Sequence, residues 1–274
     1  MQNRNRLELS LLALPALAVF GAFFLLPLAR LVVVAGTGEK GVSAYWAFLV
    51  TPRYLESLIS TIVLSVAVTA STLAISVITG LFLERNAFPG RNLLVSLLTL
   101  PLAFPGVVVG FMVIMLAGRQ GLIAEVTGAL FGHRSVFAYS MSGLFIGYVY
   151  FSIPRVILTI MAATEKLDPA LEEAARSLGA SAWRAFTDVI LPALTPALVA
   201  SGAICFATSM GAFGTAFTLA TDIDVLPMTI YTEFTLYANF SMAAALSIVL
   251  GIITWLALSL ARSLAGTSTA AAAG

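Results

Sequence analysis

One cysteine and one histidine in 274 residues leave this chain with few of the usual catalytic groups. Cys205 has no partner for an intrachain disulfide, and neither it nor His133 belongs to a cluster with metal-ligand spacing. His133 reads as a solvated loop residue. Charge is equally scarce: Asp, Glu, Lys and Arg together make up 10% of the chain, and the net charge is +1. No basic cluster is available for nucleic acid, which is excluded as a partner. There is no Gly-x-x-x-x-Gly-Lys-Ser/Thr loop to cradle phosphates, so the chain has no recognisable means of hydrolysing ATP. Ser/His/Asp, His-Glu-x-x-His and paired-carboxylate arrangements are missing too. The chain is therefore read as a non-enzyme, with no cofactor and no metal of its own.

What it has in abundance is apolar surface. Apolar residues make up 60% of the chain, and mean hydropathy is +1.02. That composition describes an integral membrane protein. Six apolar runs reach the roughly 20 residues that span a bilayer: 9–33, 58–83, 93–117, 139–162, 194–220 and 242–261. All are predicted helical, because an open sheet cannot satisfy its backbone in lipid. The ten-residue alternation of an outer-membrane barrel is missing. The first run follows Arg4 and Arg6 as a signal peptide would. It is too long for an h-region and lacks a small-x-small site after it, so an uncleaved helix is expected. Residues 263–274, rich in Ala, Gly, Ser and Thr, read as a disordered tail.

Lys and Arg set the orientation. Arg4, Arg6, Arg85, Arg91, Lys166, Arg176, Arg184 and Arg262 fall on one side. Lys40, Arg53, Arg119 and Arg134 fall on the other, with Arg30 near that end of the first helix. The bias places both termini in the cytoplasm. It also places there the one polar island of the chain, residues 168–192.

The chemistry of that island is specific. Asp168 suits a helix N-cap and Pro169 the first helical position. Leu171, Ala174, Ala175 and Leu178 recur at helical spacing and form one face; Glu172, Glu173, Arg176 and Ser177 form the other. Gly179 suits a left-handed close. Ser181 can cap a second helix with Trp183, Phe186 and Ile190 on one side, and Pro192 marks the return to the membrane. A polar loop of this size in so apolar a chain reads as a surface for a soluble partner.

Here the chain resembles the permease subunits of bacterial ABC importers. Their signature is Glu-Ala-Ala, three residues, Gly, nine residues, Ile, one residue, Leu-Pro. It stands here as Glu173-Ala174-Ala175, Gly179, Val189 and Leu191-Pro192, with Val in place of Ile. Thr99 to Phe111 followed by Gly118-Arg119-Gln120-Gly121-Leu122, and Phe88-Pro89-Gly90-Arg91 before them, look like the third-helix region and preceding turn of the molybdate, sulfate, polyamine, iron, thiamine and phosphonate permeases.

The resemblance covers the chain from about residue 57. It implies an all-α membrane protein with six transmembrane helices and a type I (MetI-like) importer core at 57–262. The cytoplasmic coupling loop lies at 163–193, and residues 1–56 hold the N-terminal tail, first helix and outer loop. It implies a periplasmic substrate-binding protein, a second permease subunit (identical or not) wrapped by the first helix, and an ABC ATPase dimer carrying ATP and Mg. It implies a multi-pass place in the bacterial inner membrane, among lipid. Glu172, Glu173, Ala174, Ala175, Gly179, Leu191 and Pro192 become the expected ATPase-coupling residues.

For a translocation path the candidates are Pro105, Arg155, Gly211, Phe213 and Gly214. Pro105, with Pro101, Gly106 and Gly110, fits a bent helix, and equally fits close packing. Gly211 and Gly214 allow a break in a run too long for one straight span. Phe213 either plugs a passage there or packs tightly. Arg155, beside Pro154, faces a cavity or snorkels to lipid phosphate. Asp222, Asp224 and Glu233 lie in an outer segment that carries no base, either against a binding protein or as a solvated turn. An ion-coupled secondary transporter is the alternative reading, but such proteins bury acidic or His relays, which are missing here. The substrate is read as a small polar solute, of phosphonate or polyamine type.

Overall fold

The computed structural model describes residues 14–38, 41–219 and 223–271, without the side chains of Ala47 and of residues 264–271. Arg4, Arg6, Lys40 and Asp222, and the start of the first expected span, lie outside them. Every regular element among the described residues is helical.

Helix α1 (Leu14–Gly36) contains a π-turn at Gly21–Leu25. Its side chains are nearly all uncovered by the rest of the chain, with Phe23 80% exposed. Such a surface fits lipid or another membrane helix, not water. A short 3-10 turn (Gly41–Tyr45) follows. Helix α2 (Pro52–Arg85) has 34 residues, hence about 51 Å, longer than a bilayer is thick. One face carries Ser57, Thr61, Ser65, Thr72 and Ser76, all buried. Small hydroxyl residues let helices approach closely in lipid. Thr61 Oγ1 also accepts from the Leu226 amide at 2.7 Å.

The third expected span, 93–117, is not one helix. It runs as α3 (Arg91–Thr99), tightens into a 3-10 turn at Leu100–Ala103 and resumes as α4 (Gly106–Ala117). Pro101 and Pro105 explain the break, since neither can donate to a helical ladder and each restricts the residue before it. Helix α5 (Leu122–Phe131) fills a segment read as loop, so the stretch long and apolar enough to cross a membrane here is Gly106–Phe131 and not 93–117. Helix α6 (Met141–Thr164) is the most enclosed span, with 56% of its apolar window buried, and it stays helical through Pro154.

Helix α7 (Pro169–Ser177) and α8 (Ala182–Met210) follow. The expected second short helix is not separate. Ala182–Ala185 passes through a π-turn at Phe186–Ile190 straight into Leu191–Met210. The fifth run then breaks at Gly211–Phe213 and resumes as α9 (Gly214–Leu219). Helix α10 (Leu226–Thr235) precedes α11 (Phe240–Ala271), whose helix continues past 263, where a disordered tail was expected. Alanine, the strongest helix former, carries it on.

By internal contacts the chain divides into two units, and the division differs from the expected 57–262 core. One holds the chain up to Glu56 with Thr229–Gly251; the other holds Ser57–Met228 and the chain from Ile252. In the first, Ala35, Ala44, Ala244 and Ala245 pack with Leu31 and Ile248. Ser241 Oγ donates to the Ala35 carbonyl at 2.8 Å. Glu233, read from sequence as surface without a base, is only 3% exposed in this unit. It accepts from Tyr54 Oη at 3.0 Å and Asn239 Nδ2 at 3.1 Å, with Arg53 at 4.0 Å. Segments distant in sequence supply what the outer segment lacked. In the second unit Val68, Val113, Leu144, Val156, Ile160 and Leu219 form the core.

Candidate functional site

The polar loop is built by local chemistry. Asp168 Oδ1 accepts from the Ala170 amide at 2.9 Å, capping α7. At the other end the Gly179 amide donates to Arg176 O at 2.9 Å and the Ala180 amide to Ala175 O at 3.0 Å. This double closure is a Schellman motif, which needs its left-handed residue, and Gly179 has φ +89°. Ser181 Oγ then accepts from the Arg184 amide at 3.3 Å and starts α8.

The two glutamates of the loop part company. Glu172 is held inside the chain, with Oε2 at 2.7 Å from Arg85 Nη1 and Oε1 at 2.7 Å from Arg176 Nη2. It ties α7 to the carboxyl end of α2, a contact that no local pattern reveals. Glu173 and Ala174 are exposed, while Ala175 is half-buried. The apolar side of the loop is left open: Leu171 is 55%, Leu178 90% and Trp183 71% exposed. Trp183 lies against Phe186, ring centres 5.7 Å apart, and Ile190 below them is buried. Leu191 is half-buried and Pro192 exposed. Exposed apolar groups on a rigid, charged frame mark an interaction surface.

The second candidate is a cavity of about 420 Å³ lined by α4, α6, α8 and α9 around the two helix breaks. Gly106, Tyr148, Ser152, Ser209, Phe213 and Thr215 are among its walls, with Gly211 and Gly214 beside Phe213. Helices α4 and α9 run side by side here. A Cβ at Gly110 would fall 2.6 Å from Thr218 Cβ, and one at Gly214 would fall 3.0 Å from the Val107 amide nitrogen. Only glycine permits that approach. Thr215 Oγ1 donates to Gly106 O at 2.9 Å, and Tyr148 Oη to Ala212 O at 2.5 Å.

The structure thus brings Gly211, Phe213 and Gly214 together in one cavity. Phe213 is half-buried, its ring 5.3 Å from that of Phe217. Pro105 is exposed and sits just before Gly106 as the residue preceding α4. Arg155 does not line the cavity. It is half-buried, one turn further along α6 from Phe151 and Ser152, on the same helix face. Its guanidinium has no acidic group within 4.0 Å among the described residues. Tyr148 was not singled out from sequence, since a single hydroxyl in an apolar run gives no pattern, whereas Ser209 and Thr215 flank the break expected at Gly211–Gly214. His133 is exposed and Cys205 buried and free.

The chain is similar to known proteins over most of its length. The family described as "Binding-protein-dependent transport system inner membrane component" matches residues 76–267. The Molybdenum transport system permease protein ModB of Escherichia coli is 36% identical over 205 residues, covering 73% of this chain and 88% of that protein. The Sulfate transport system permease protein CysT of the same organism is 31% identical over 230 residues, 82% of this chain and 81% of its own length. A Salmonella typhi protein described as a 2-aminoethylphosphonate transport system permease is 30% identical over 245 residues, 87% of this chain and 84% of that one. The fold matches a chain of a bacterial alginate ABC transporter, solved with an alginate-bound periplasmic protein. The TM-score is 0.82 at 19% identity, over 96% of this chain and 94% of the other.

Proposed function

The chain belongs to the binding-protein-dependent transport system inner membrane component family, and from that premise we propose that it forms one half of the translocation path of an ATP-driven importer for an oxyanion-type solute. It is a transport component of the inner membrane and not an enzyme. The observation that carries the proposal is the loop at 168–192, held rigid by two caps and the Arg85–Glu172 pair while Leu178 and Trp183 stay uncovered. Such a surface suits a soluble ATPase dimer, which would bind the ATP and Mg that this chain has no means to hold. Both termini and this loop are then cytoplasmic. A periplasmic binding protein delivers solute from the other side, and a second permease, identical or not, closes the path.

The relatives described for molybdenum, sulfate and 2-aminoethylphosphonate support an oxyanion or phosphonate as solute. The path would follow the cavity at Gly211–Thr215, with Phe213 as its narrow point.

The test is reconstitution. The chain is co-expressed with the ABC ATPase and periplasmic binding protein of its own organism, and uptake of labelled molybdate, sulfate and phosphonate is measured in proteoliposomes. ATP-dependent uptake that needs the binding protein is the expected result. Uptake driven by an ion gradient without ATP would contradict the proposal and favour the ion-coupled carrier.

A further inference from the structure

We infer that a second cavity, of about 660 Å³, is a headgroup site for a phospholipid that carries a primary ammonium, with Glu233 as its counter-ion. The inference needs only that α1, α2 and α11 cross a membrane, and it stands apart from the path. The cavity lies within the first unit, between Val34 and Thr37 at the end of α1 and Phe240 at the start of α11, with Glu233 and Tyr237 beside them. The apolar stretches of α1 and α11 that end here have 23 and 24 residues. Each covers about 35 Å, against about 30 Å of hydrocarbon. Their ends therefore stand in the headgroup layer. The connecting segments of this unit have the character of that layer too. Trp46, Phe234, Tyr237 and Phe240 are all more than half exposed, as in the aromatic belt of a membrane boundary.

Charge decides which headgroup fits. Glu233 is in the cavity wall yet only 3% exposed, and a carboxylate so enclosed calls for a counter-charge. Its two oxygens have room for about four donors, and Tyr54 and Asn239 supply one each. Among the described residues no basic side chain lines the cavity. Arg53 stops at 4.0 Å from the carboxylate and lies half-exposed over the Tyr237 ring, 5.7 Å from its centre. A primary ammonium brings three donors and the missing positive charge. In an ethanolamine headgroup the phosphate follows two carbons away, and a guanidinium is a strong phosphate partner. The acid in the wall and the base beside it thus mirror the ammonium and phosphate of one zwitterion. Phosphatidylethanolamine carries that pair. A choline headgroup has no donor for the carboxylate, and a glycerol headgroup has no positive charge.

The test reconstitutes the complete transporter, ATPase included, in nanodiscs of equal parts phosphatidylethanolamine, phosphatidylcholine and phosphatidylglycerol. The lipids it retains are counted by native mass spectrometry. The unaltered protein is expected to retain phosphatidylethanolamine about fivefold over either of the others. Glu233→Gln keeps the shape and removes the charge, while Thr37→Trp fills the cavity from an exposed position. Each should bring the ratio to about one. Equal retention of all three lipids by the unaltered protein would overturn the site, whether or not the variants fold. A preference that survives both variants would also overturn it, since the lipid would then sit elsewhere. Two rival occupants give different results. Unchanged lipid retention in Glu233→Gln, with weaker binding of the periplasmic binding protein, would make the cavity a socket for a basic side chain of that protein. Glu233-dependent binding of free 2-aminoethylphosphonate, with no lipid preference, would give the cavity to a soluble zwitterion. Either result would overturn the lipid site.

Discussion

The polar loop at 168–192 and the cavity at the helix breaks are built on opposite principles. In the loop every cap lies within five residues of what it caps: Asp168 with Ala170, Ser181 with Arg184, Gly179 closing on Arg176. In the cavity the bonds that matter join residues far apart, Tyr148 to Ala212 and Thr215 to Gly106. The loop is a rigid frame with an apolar face left open, while the cavity is a gap held between packed helices. The difference teaches where each is vulnerable. The loop should fail through its backbone and its surface, with the membrane fold untouched. The cavity should fail through volume and charge.

The largest effect is expected at Gly179. A Cβ there meets nothing within 4 Å, so only the backbone objects to one. Gly179→Val puts a β-branched residue at φ +89°, a cost of about 1–2 kcal/mol or more that falls on the loop alone. Uptake in proteoliposomes should fall more than tenfold while membrane insertion and the amount of folded protein stay normal. Glu173→Lys should act in the same direction through charge. Normal transport by both variants would strip the loop of its coupling role.

Next is Phe213→Ala, which sets gate against packing. Removing a ring from a packed core costs roughly 3–5 kcal/mol, which would appear as a large drop in melting temperature and loss of the ATPase on purification. At a gate the complex should stay assembled, with raised basal ATPase activity and less need for the binding protein. Smaller still is the effect expected at Arg155. Arg155→Gln should lower anion uptake about threefold and Arg155→Lys should restore most of it. Equal uptake in all three proteins would assign this side chain to lipid phosphate.

The smallest effect is expected from Glu172→Gln. It weakens two partly exposed ion pairs worth about 0.5–1 kcal/mol each. Uptake should fall less than threefold, and the defect should shrink at high salt, where the wild-type pairs are screened as well. A loss as deep as that of Gly179→Val would mean that this carboxylate itself meets the partner.

The sequence signals divide along the same line. The number of spans and the whole frame of α7 could be anticipated, because hydropathy, capping and turn chemistry act over a few residues, though the third span runs Gly106–Phe131 and not 93–117. The break at Gly211–Phe213 was legible too, since a run too long for the bilayer must bend where glycine allows it. The break within 93–117 was marked by Pro101 and Pro105, yet continuous hydropathy masked it. Beyond reach were Arg85 finding Glu172, and Tyr54 and Asn239 finding Glu233. These pairs depend on how segments pack, and a lone arginine or glutamate carries no mark of its partner. The same holds for Tyr148, one hydroxyl in an apolar helix until the cavity beside it is seen.

The account stands most directly on position 178, where the leucine is 90% exposed on the loop. With Leu178 replaced by the photo-crosslinking residue p-benzoylphenylalanine, cells expressing the whole transporter are irradiated and the adduct is identified by mass. The account predicts a crosslink to the soluble ATPase subunit, lost when that subunit is absent. A crosslink to a periplasmic protein instead would turn the topology over and contradict the account.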